Sequence, residues 1–93
     1  MSLVVIDAAS AEPPYEQVRR QIAEAVAGGR LVAGYRLPPV RGLAEDLGLA
    51  ANTVARAYRE LEQAGLVETR GRGGTVVTGA GDERREAARE AAA

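Results

Sequence analysis

The sequence predicts a small, mainly α-helical domain with one β-hairpin, followed by a C-terminal helical tail. Apolar residues recur in three stretches at the period of a one-sided helix, and only a few residues separate the second stretch from the third. Two β-rich segments then flank a glycine-rich stretch, as strands flank the tip of a hairpin. Two helices joined by a tight turn form a helix-turn-helix, and the hairpin after them would be its wing. The predicted fold class is therefore a winged helix-turn-helix.

The N-terminal part, residues 1–12, is predicted to hold a short strand at residues 3–6, which are mostly β-branched, and then a loop. The first helix is expected to begin at Pro13-Pro14, because proline is tolerated in a first helical turn. Gly28-Gly29 is expected to end this helix. The positions predicted to face the core are Tyr15, Val18, Ile22 and Val26.

The second and third helices are predicted in the same way, from proline and glycine signals around periodic apolar residues. Pro38-Pro39 opens the second helix, and Gly48 ends it; Gly65 ends the third. The predicted core positions of the second helix are Val40, Leu43, Ala44 and Leu47, and those of the third are Val54, Ala57, Tyr58 and Leu61.

The predicted wing strands are residues 66–69 and 75–78, with residues 70–74 as the glycine-rich tip. The winged helix-turn-helix domain therefore spans residues 13–78. In residues 79–93 the composition changes, and Asp82 is a suitable N-cap for a helix whose only apolar residues are alanines. Such a helix is marginal on its own, so we expect it to pack against a partner or to fray.

The composition excludes most catalytic and metal-site chemistry. The chain has 93 residues with no His and no Cys, so it lacks an imidazole base, a thiolate and the usual ligands of zinc. We therefore expect a protein that is not an enzyme and has no cofactor and no metal. Because no apolar run approaches the roughly 20 residues of a membrane span, we expect no membrane contact and a cytoplasmic location.

The net charge is −1, but the segment from Arg36 to Arg59 holds four Arg against Glu45 and Asp46, a balance of +2. In the third helix, steps of 100° place four polar residues together on the side opposite the apolar face: Asn52, Arg56, Arg59 and Gln63. Such a face fits the major groove, where Asn or Gln can pair with adenine and Arg with guanine or a phosphate. The alternative is an ordinary solvated helix face.

Two further elements are candidates for contact with a nucleic acid. Arg70 and Arg72 stand beside glycines, whose backbone can approach phosphates or a minor groove closely. Arg41, in the first turn of the second helix, can bind a phosphate. An ordinary hairpin turn and a surface arginine are the alternatives. Together, Arg41, the polar face of the third helix and the wing would lie on one side of the domain. Solvated charge distributed at random does not predict such an arrangement.

The sequence resembles the DNA-binding domain of the GntR family. The resemblance runs in register over residues 14–78 and is carried by LPPVRGLA at residues 37–44, LGL at 47–49, NTVARAYREL at 52–61, GLV at 65–67 and GGTVV at 73–77. It implies a bacterial transcriptional regulator, most similar to the YtrA-type branch, that binds operator DNA as a homodimer. In that branch a small helical tail dimerises. The resemblance also implies a repressor and a small-molecule effector of unknown identity.

The resemblance implies roles for individual residues. Arg41 matches the family's DNA-contacting arginine of the second helix, and Asn52, Thr53 and Arg56 lie in its recognition helix. Gly73, followed by Gly74, matches the glycine of the wing. Arg36 stands where relatives often have a charged or polar residue, and no contact is assigned to it.

The sequence departs from the family pattern in two places. Ala50-Ala51 stands where relatives usually have a capping residue, so Asn52 is expected to cap the third helix instead. The tail stops at Ala93, where relatives of this branch usually continue through a second helix. We therefore expect the tail to be truncated, with weakened dimerisation and effector response.

Three hypotheses follow for the function. The first is a homodimeric regulator of a palindromic operator. The second is a winged helix used as a protein-interaction module, which the acidic balance of charge favours. The third is the regulatory part of a fusion like the MocR-type relatives, whose aminotransferase-like domain uses pyridoxal phosphate, although no residue of this chain is a candidate for that chemistry.

Overall fold

Three helices and one antiparallel hairpin follow each other in the computed structural model, which describes residues 3–79. The elements are α1 (Pro14–Ala27), α2 (Val40–Leu47), α3 (Ala51–Gln63), β1 (Val67–Thr69) and β2 (Thr75–Val77), with a 3₁₀ turn at Gly71–Gly73. This order confirms the predicted winged helix-turn-helix. The predicted tail helix with its cap Asp82 lies outside the described residues. Within those residues, every helix is too short or too polar to cross a membrane.

The helices begin and end at the predicted proline and glycine signals. Pro14 occupies the first turn of α1, and the Gly28 N–H donates to the Glu24 carbonyl oxygen at 2.8 Å after its last turn. Gly48 ends α2 in the left-handed region, with φ 68° and ψ 31°, where a side chain would be strained. This residue lets the chain turn sharply into α3, which begins three positions later.

The expectation that Asn52 caps α3 is wrong. The helix begins at Ala51, so Asn52 is already inside its first turn, and Ala50 is the capping residue with no side-chain hydrogen bond. The Ala50 backbone is extended, with φ −68° and ψ 146°, and its carbonyl oxygen accepts from the Thr53 N–H at 3.1 Å. Backbone geometry therefore starts the helix, and the Asn52 side chain stays exposed.

One core lies where the three helices meet the base of the hairpin. The predicted apolar face of α3 is fully confirmed, because Val54, Ala57, Tyr58 and Leu61 are all buried. Val18, Ile22 and Val26 of α1 and Leu43 and Ala44 of α2 are also buried, whereas Tyr15, Val40 and Leu47 are half-buried. Leu66, Val67 and Val77 extend this core into the wing.

The connection between α1 and α2 contributes to the wing sheet, which the sequence did not indicate. The two strands pair antiparallel, with Val67 opposite Val77 and Thr69 opposite Thr75. On the other edge of β2, Arg36 forms a β-bridge with Val76. The Gly34 N–H donates to the Val77 carbonyl oxygen, and the Leu37 N–H to that of Thr75, both at 2.8 Å. The connection between α1 and α2 therefore holds the base of the wing.

The predicted strand at residues 3–6 is wrong: this segment forms no ladder in the structure. Val4 is buried, and the Gln21 side-chain amide bonds the backbone of Val5, donating to its oxygen at 2.7 Å and accepting from its N–H at 3.0 Å. Gln17 makes the same pair of bonds with Asp7 and also donates to the Glu12 carbonyl oxygen at 2.8 Å. Amide side chains of α1 thus replace a partner strand.

Candidate nucleic-acid interface

The position of α3 is set by its buried face. Val54 and Ala57 are completely buried between α3 and its neighbours, and the Tyr58 hydroxyl donates to the Pro38 carbonyl oxygen at 2.7 Å. This bond joins α3 to the residues just before α2. Burial, with a smaller contribution from Tyr35, raises the pKa of Tyr58, so its hydroxyl remains a donor. The opposite face of α3 is consequently held outward in a fixed orientation.

That outward face carries the residues predicted from the helical period. Asn52, Arg56, Arg59 and Gln63 are all exposed, and Thr53, at the edge of the face, is half-buried. Asn52 and Thr53 stand in the first turn of α3, which is the part of a recognition helix that reaches base edges. The hydrogen bonds found within residues 3–79 do not engage these two side chains.

Arg56 lies on the side of this face that is next to α1. Its guanidinium carbon is 3.7 Å from the centroid of the Tyr15 ring, a cation–π contact. Its Nε is also 3.4 Å from Oε2 of Glu60, one helical turn further along. A shallow pocket of about 230 Å³ lies beside the ring and is lined by Pro14, Tyr15, Asn52, Thr53 and Arg56. Arg56 is therefore already engaged within the protein.

Tyr15 was missed by the sequence reasoning, which placed it in the core. Its helical period matches that of the core residues Val18 and Ile22, but it stands in the first turn of α1 and is only half-buried. No sequence signal pairs it with Arg56, because the two residues are 41 positions apart. Its location follows only from the packing of α1 against α3.

Arg59 lies on the other side of the face, toward the wing. It lines a groove of about 300 Å³ with Val40 of α2, Ala55, Tyr58 and Glu62 of α3, Thr69 of β1 and Thr75 of β2. The groove places the start of α2, next to Arg41, beside α3 and the wing. Glu62 holds the wing against the helix, because its Oε2 accepts from the Thr69 N–H at 3.1 Å and the Thr69 hydroxyl at 2.8 Å.

The wing tip is closed by its own backbone. The Arg70 N–H donates to the Gly74 carbonyl oxygen at 2.7 Å, and the Gly73 N–H to that of Arg70 at 2.8 Å. Gly74 has φ 74° and ψ −151°, a conformation that is essentially limited to glycine. The predicted tip at residues 70–74 is confirmed. Within it Gly73 is exposed and Gly74 is half-buried.

Ion pairs divide the predicted DNA-contacting arginines into two groups. Arg56 is paired with Glu60, and Arg70 with Glu68, whose Oε1 accepts from Arg70 Nε at 2.6 Å. Within residues 3–79, the arginines that form no ion pair are Arg30, Arg36, Arg41, Arg59 and Arg72. Three of the predicted contacts, on α2, α3 and the wing, therefore carry uncompensated positive charge.

The outer surface of α1 is different, because its arginines are neutralised locally. Arg19 Nε donates to Oε1 of Glu16 at 3.0 Å, and Arg20 Nε donates to Oε2 of Glu12 at 2.9 Å. The bond from Arg19 lowers the pKa of Glu16. Across residues 3–79, the acidic side chains form no group of three that could hold a metal ion. Within residues 3–79, the arginines that form no ion pair therefore all lie outside α1.

Comparison with known proteins identifies the family of this chain. The family model described as "Bacterial regulatory proteins, gntR family" matches residues 14–77. Over 73 residues the chain is 55% identical to the HTH-type transcriptional regulator Rv1152 of Mycobacterium tuberculosis, covering 78% of this chain and 60% of that protein. Over 72 residues it is 44% identical to the HTH-type transcriptional repressor YtrA of Bacillus subtilis, covering 76% of this chain and 55% of that protein.

Solved structures show the same fold. YtrA from Sulfolobus acidocaldarius, a GntR-family transcription factor, superimposes with a TM-score of 0.76 at 34% identity, covering 99% of this chain and 100% of that one. The N-terminal domain of AraR, solved in complex with mutant ORR3, gives a TM-score of 0.67 at 27% identity, covering 72% of this chain and 96% of that one.

The chain thus spans a little more than half the length of the two curated relatives, both of which are named as transcriptional regulators. The matched family region, residues 14–77, contains all three helices and both strands. By these matches and by its fold, the chain belongs to the GntR family, and its relatives include YtrA-type regulators.

Proposed function

We propose that this chain is a DNA-binding transcriptional regulator that acts as a homodimer on a palindromic operator and represses transcription. The observation that carries the proposal is the exposed polar face of α3, with Asn52 and Arg59, together with Arg41 on α2 and Arg72 on the wing; within residues 3–79 none of these three arginines forms an ion pair. Uncompensated arginines on three neighbouring elements fit the phosphate backbone, which supplies most of the affinity of proteins for DNA.

In this proposal α3 occupies the major groove. The Asn52 amide can pair with the N6 and N7 atoms of adenine, and Arg59 can bind guanine or a phosphate. Thr53 contacts the bases or backbone next to Asn52. Arg56 reaches the same groove from the side of α1, where the Tyr15 ring orients its guanidinium. The first turn of α3 thus supplies specificity, and the arginines supply most of the affinity.

Arg41 and the wing would hold the domain on the DNA backbone. Arg41 is exposed in the first turn of α2 and binds a phosphate beside the major groove. At the wing, Gly73 and Gly74 let the backbone approach the DNA closely, and Arg72 enters the minor groove or binds its phosphates. Arg70 contributes less than Arg72, because Glu68 already neutralises part of its charge.

The homodimer and the repressor role are supported by relatives and by symmetry. The Bacillus subtilis relative YtrA is named as a repressor. A two-fold symmetric dimer reads two inverted half-sites, which predicts a palindromic operator with half-sites about 34–36 Å apart, or a multiple of that distance. Repression follows if the bound dimer overlaps a promoter. A regulator of this kind acts where the chromosome is, so we place it in the cytoplasm.

The experiment that tests the proposal is fluorescence anisotropy with labelled DNA from the region upstream of the protein's own gene, against a scrambled duplex, at several salt concentrations. We expect tighter binding to the upstream DNA, with an affinity that falls steeply as salt rises. Loss of the Asn52 contact in Asn52→Ala should reduce discrimination by about 1–3 kcal/mol, or about 5- to 150-fold. Arg30→Gln is the control, since it removes from the turn after α1 a charge that forms no ion pair within the described part of the chain.

The mass of the protein in solution completes the test. A dimer that binds both DNAs equally and weakly would contradict sequence-specific regulation and support a protein-interaction module. A monomer with the same weak binding would contradict the homodimer. Unchanged discrimination in Asn52→Ala, with the fold intact, would remove α3 as the reading element.

A further inference from the structure

Arg36 lies beside the wing tip, although it belongs to the connection between α1 and α2. Its Nη2 donates to the Arg72 carbonyl oxygen at 3.3 Å, 36 positions further along the chain. A Cβ placed on Gly74 would be 3.3 Å from Nε of Arg36, so only a glycine lets the guanidinium lie this close to the wing backbone. The guanidinium therefore lies against the wing backbone at Gly74, just before β2.

The backbone of Arg36 is fixed as firmly as its side chain. Its β-bridge with Val76 and the bond from the Leu37 N–H to the Thr75 carbonyl oxygen attach it to β2. Because both ends of the side chain are held, little rotamer freedom remains to be lost when it binds a ligand. Arg36 is exposed, so a ligand can reach it.

The charge of Arg36 is not balanced by any contact that the structure describes. Among residues 3–79 it forms no ion pair, and its hydrogen-bond acceptor is a neutral carbonyl oxygen. A guanidinium has five N–H donors, so a single bond to Arg72 leaves most of them available. Arg70, which stands in the tip itself, is by contrast bonded to Glu68.

We infer that Arg36 binds a DNA phosphate at the wing, as a cation supplied by the connection between α1 and α2. The inference rests on the proposed function and adds a residue to which the sequence assigned no contact. A phosphate beside the tip would accept from the free N–H groups of Arg36 while Arg72 binds its own part of the backbone. The other possible role is a purely structural brace, in which Arg36 only holds the Arg72 carbonyl in place.

The test compares two substitutions that separate charge from hydrogen bonding. Arg36→Gln keeps an amide donor for the Arg72 carbonyl oxygen but removes the charge, and Arg36→Lys keeps the charge. Arg30→Gln, an equal change in net charge at an exposed position after α1, is the control. The full 93-residue chain is titrated with a labelled 20-base-pair duplex of arbitrary sequence, and log K is plotted against log salt.

Loss of one phosphate contact lowers the magnitude of the salt slope by about 0.9. We expect this decrease for Arg36→Gln and a slope close to that of the unsubstituted chain for Arg36→Lys and Arg30→Gln. An unchanged slope in Arg36→Gln, or the same decrease in Arg30→Gln, would overturn the inference. So would a decrease accompanied by shifted amide NMR signals of residues 70–74, because Arg36 would then act through the wing.

Failure of the proposed function gives a different result. If the unsubstituted chain binds neither this duplex nor the upstream DNA at low salt, the proposed function fails, and the inference falls with it. If the unsubstituted chain binds with a steep salt dependence and Arg36→Gln is indistinguishable from it, only the inference fails.

Discussion

The guanidinium of Arg56 lies over the ring of Tyr15, 3.7 Å from its centroid, so a residue of α1 holds a residue of the exposed face of α3. Glu60 attracts the same guanidinium from one turn further along α3. The contact joins a helix outside the helix-turn-helix to the helix proposed to read DNA. It also fixes the direction in which one of the arginines leaves α3.

Replacing the Tyr15 ring should therefore weaken DNA binding through Arg56. Exposed cation–π contacts contribute about 0.5–1 kcal/mol, so we expect Tyr15→Leu to lose about two- to fivefold in affinity for upstream DNA. Tyr15→Phe keeps the ring and should bind like the unsubstituted protein. Fluorescence anisotropy checks both variants, and equal affinity of the Leu variant would show that Arg56 needs no orientation by α1.

Glu68 should limit the contribution of Arg70 at the wing. Glu68→Gln leaves Arg70 without its partner, so we expect tighter DNA binding and a salt slope that is steeper by up to about 0.9. Arg70→Gln should change affinity less than Arg72→Gln, because Arg72 is unpaired within residues 3–79. Glu45→Gln, an equal charge change on α2, is the control, and an identical gain there would attribute the effect to net charge alone.

Gly74 should tolerate no side chain, whereas Gly73 should. Alanine at Gly74 would adopt φ 74° and ψ −151°, at a strain of roughly 1–3 kcal/mol, and its Cβ would displace Arg36. Gly73 does not have a positive φ, and its nearest neighbour would be 3.4 Å from an added Cβ. We expect Gly74→Ala to lower hydrogen-exchange protection in the wing and Gly73→Ala to leave it largely unchanged; equal protection in both variants would contradict this.

Gln17, on α1, should be important for stability. Its side chain is only 3% exposed and bonds the backbone at Asp7 and Glu12. Gln17→Ala leaves the Asp7 N–H and the Glu12 carbonyl oxygen without these bonds, so we expect the free energy of unfolding to fall by about 1–3 kcal/mol in urea denaturation. Gln21→Ala, whose bonds to Val5 are exposed, should lose less, and the opposite order would contradict this account.

Tyr58 should make stability depend on alkaline pH. Burial raises its pKa in the folded state above the unfolded value of about 10, so its contribution is complete below about pH 10 and is lost as pH rises further. Tyr58→Phe lacks the bond to the Pro38 carbonyl oxygen and should be less stable at neutral pH by about 0.5–1.5 kcal/mol. Urea denaturation near pH 8 and near pH 11 should show a larger loss for the unsubstituted protein than for the variant.

Much of the fold could be predicted because its signals are local. Proline in the first turn of α1, Gly48 after α2 and the glycine-rich tip of the wing are effects of backbone geometry within a few residues. The buried face of α3 follows from the helical period alone. The same period placed Asn52 and Arg59 on the exposed side, where the structure has them.

The predictions that failed, and the contacts that were missed, depend on residues far apart in the chain. Residues 3–6 are rich in β-branched side chains, yet Gln17 and Gln21 bond the N-terminal backbone and no strand forms. Asn52 could have capped α3, but the extended backbone of Ala50 occupies the capping position, two residues earlier. Such outcomes depend on which partners the folded structure brings within hydrogen-bond distance of a backbone group.

The sequence by itself determined the order of the three helices and the two wing strands and the two faces of α3, but not the start of α3 or the form of the N-terminal segment. The tertiary structure alone decided where the guanidinium groups of Arg56 and Arg36 lie, because Arg56 meets Tyr15 across two helices and Arg36 meets the wing across 36 positions. Helical period and turn chemistry act within one or two turns of chain. Contacts between residues far apart in the chain depend on distances of a few ångströms between elements, which only the packing of those elements establishes.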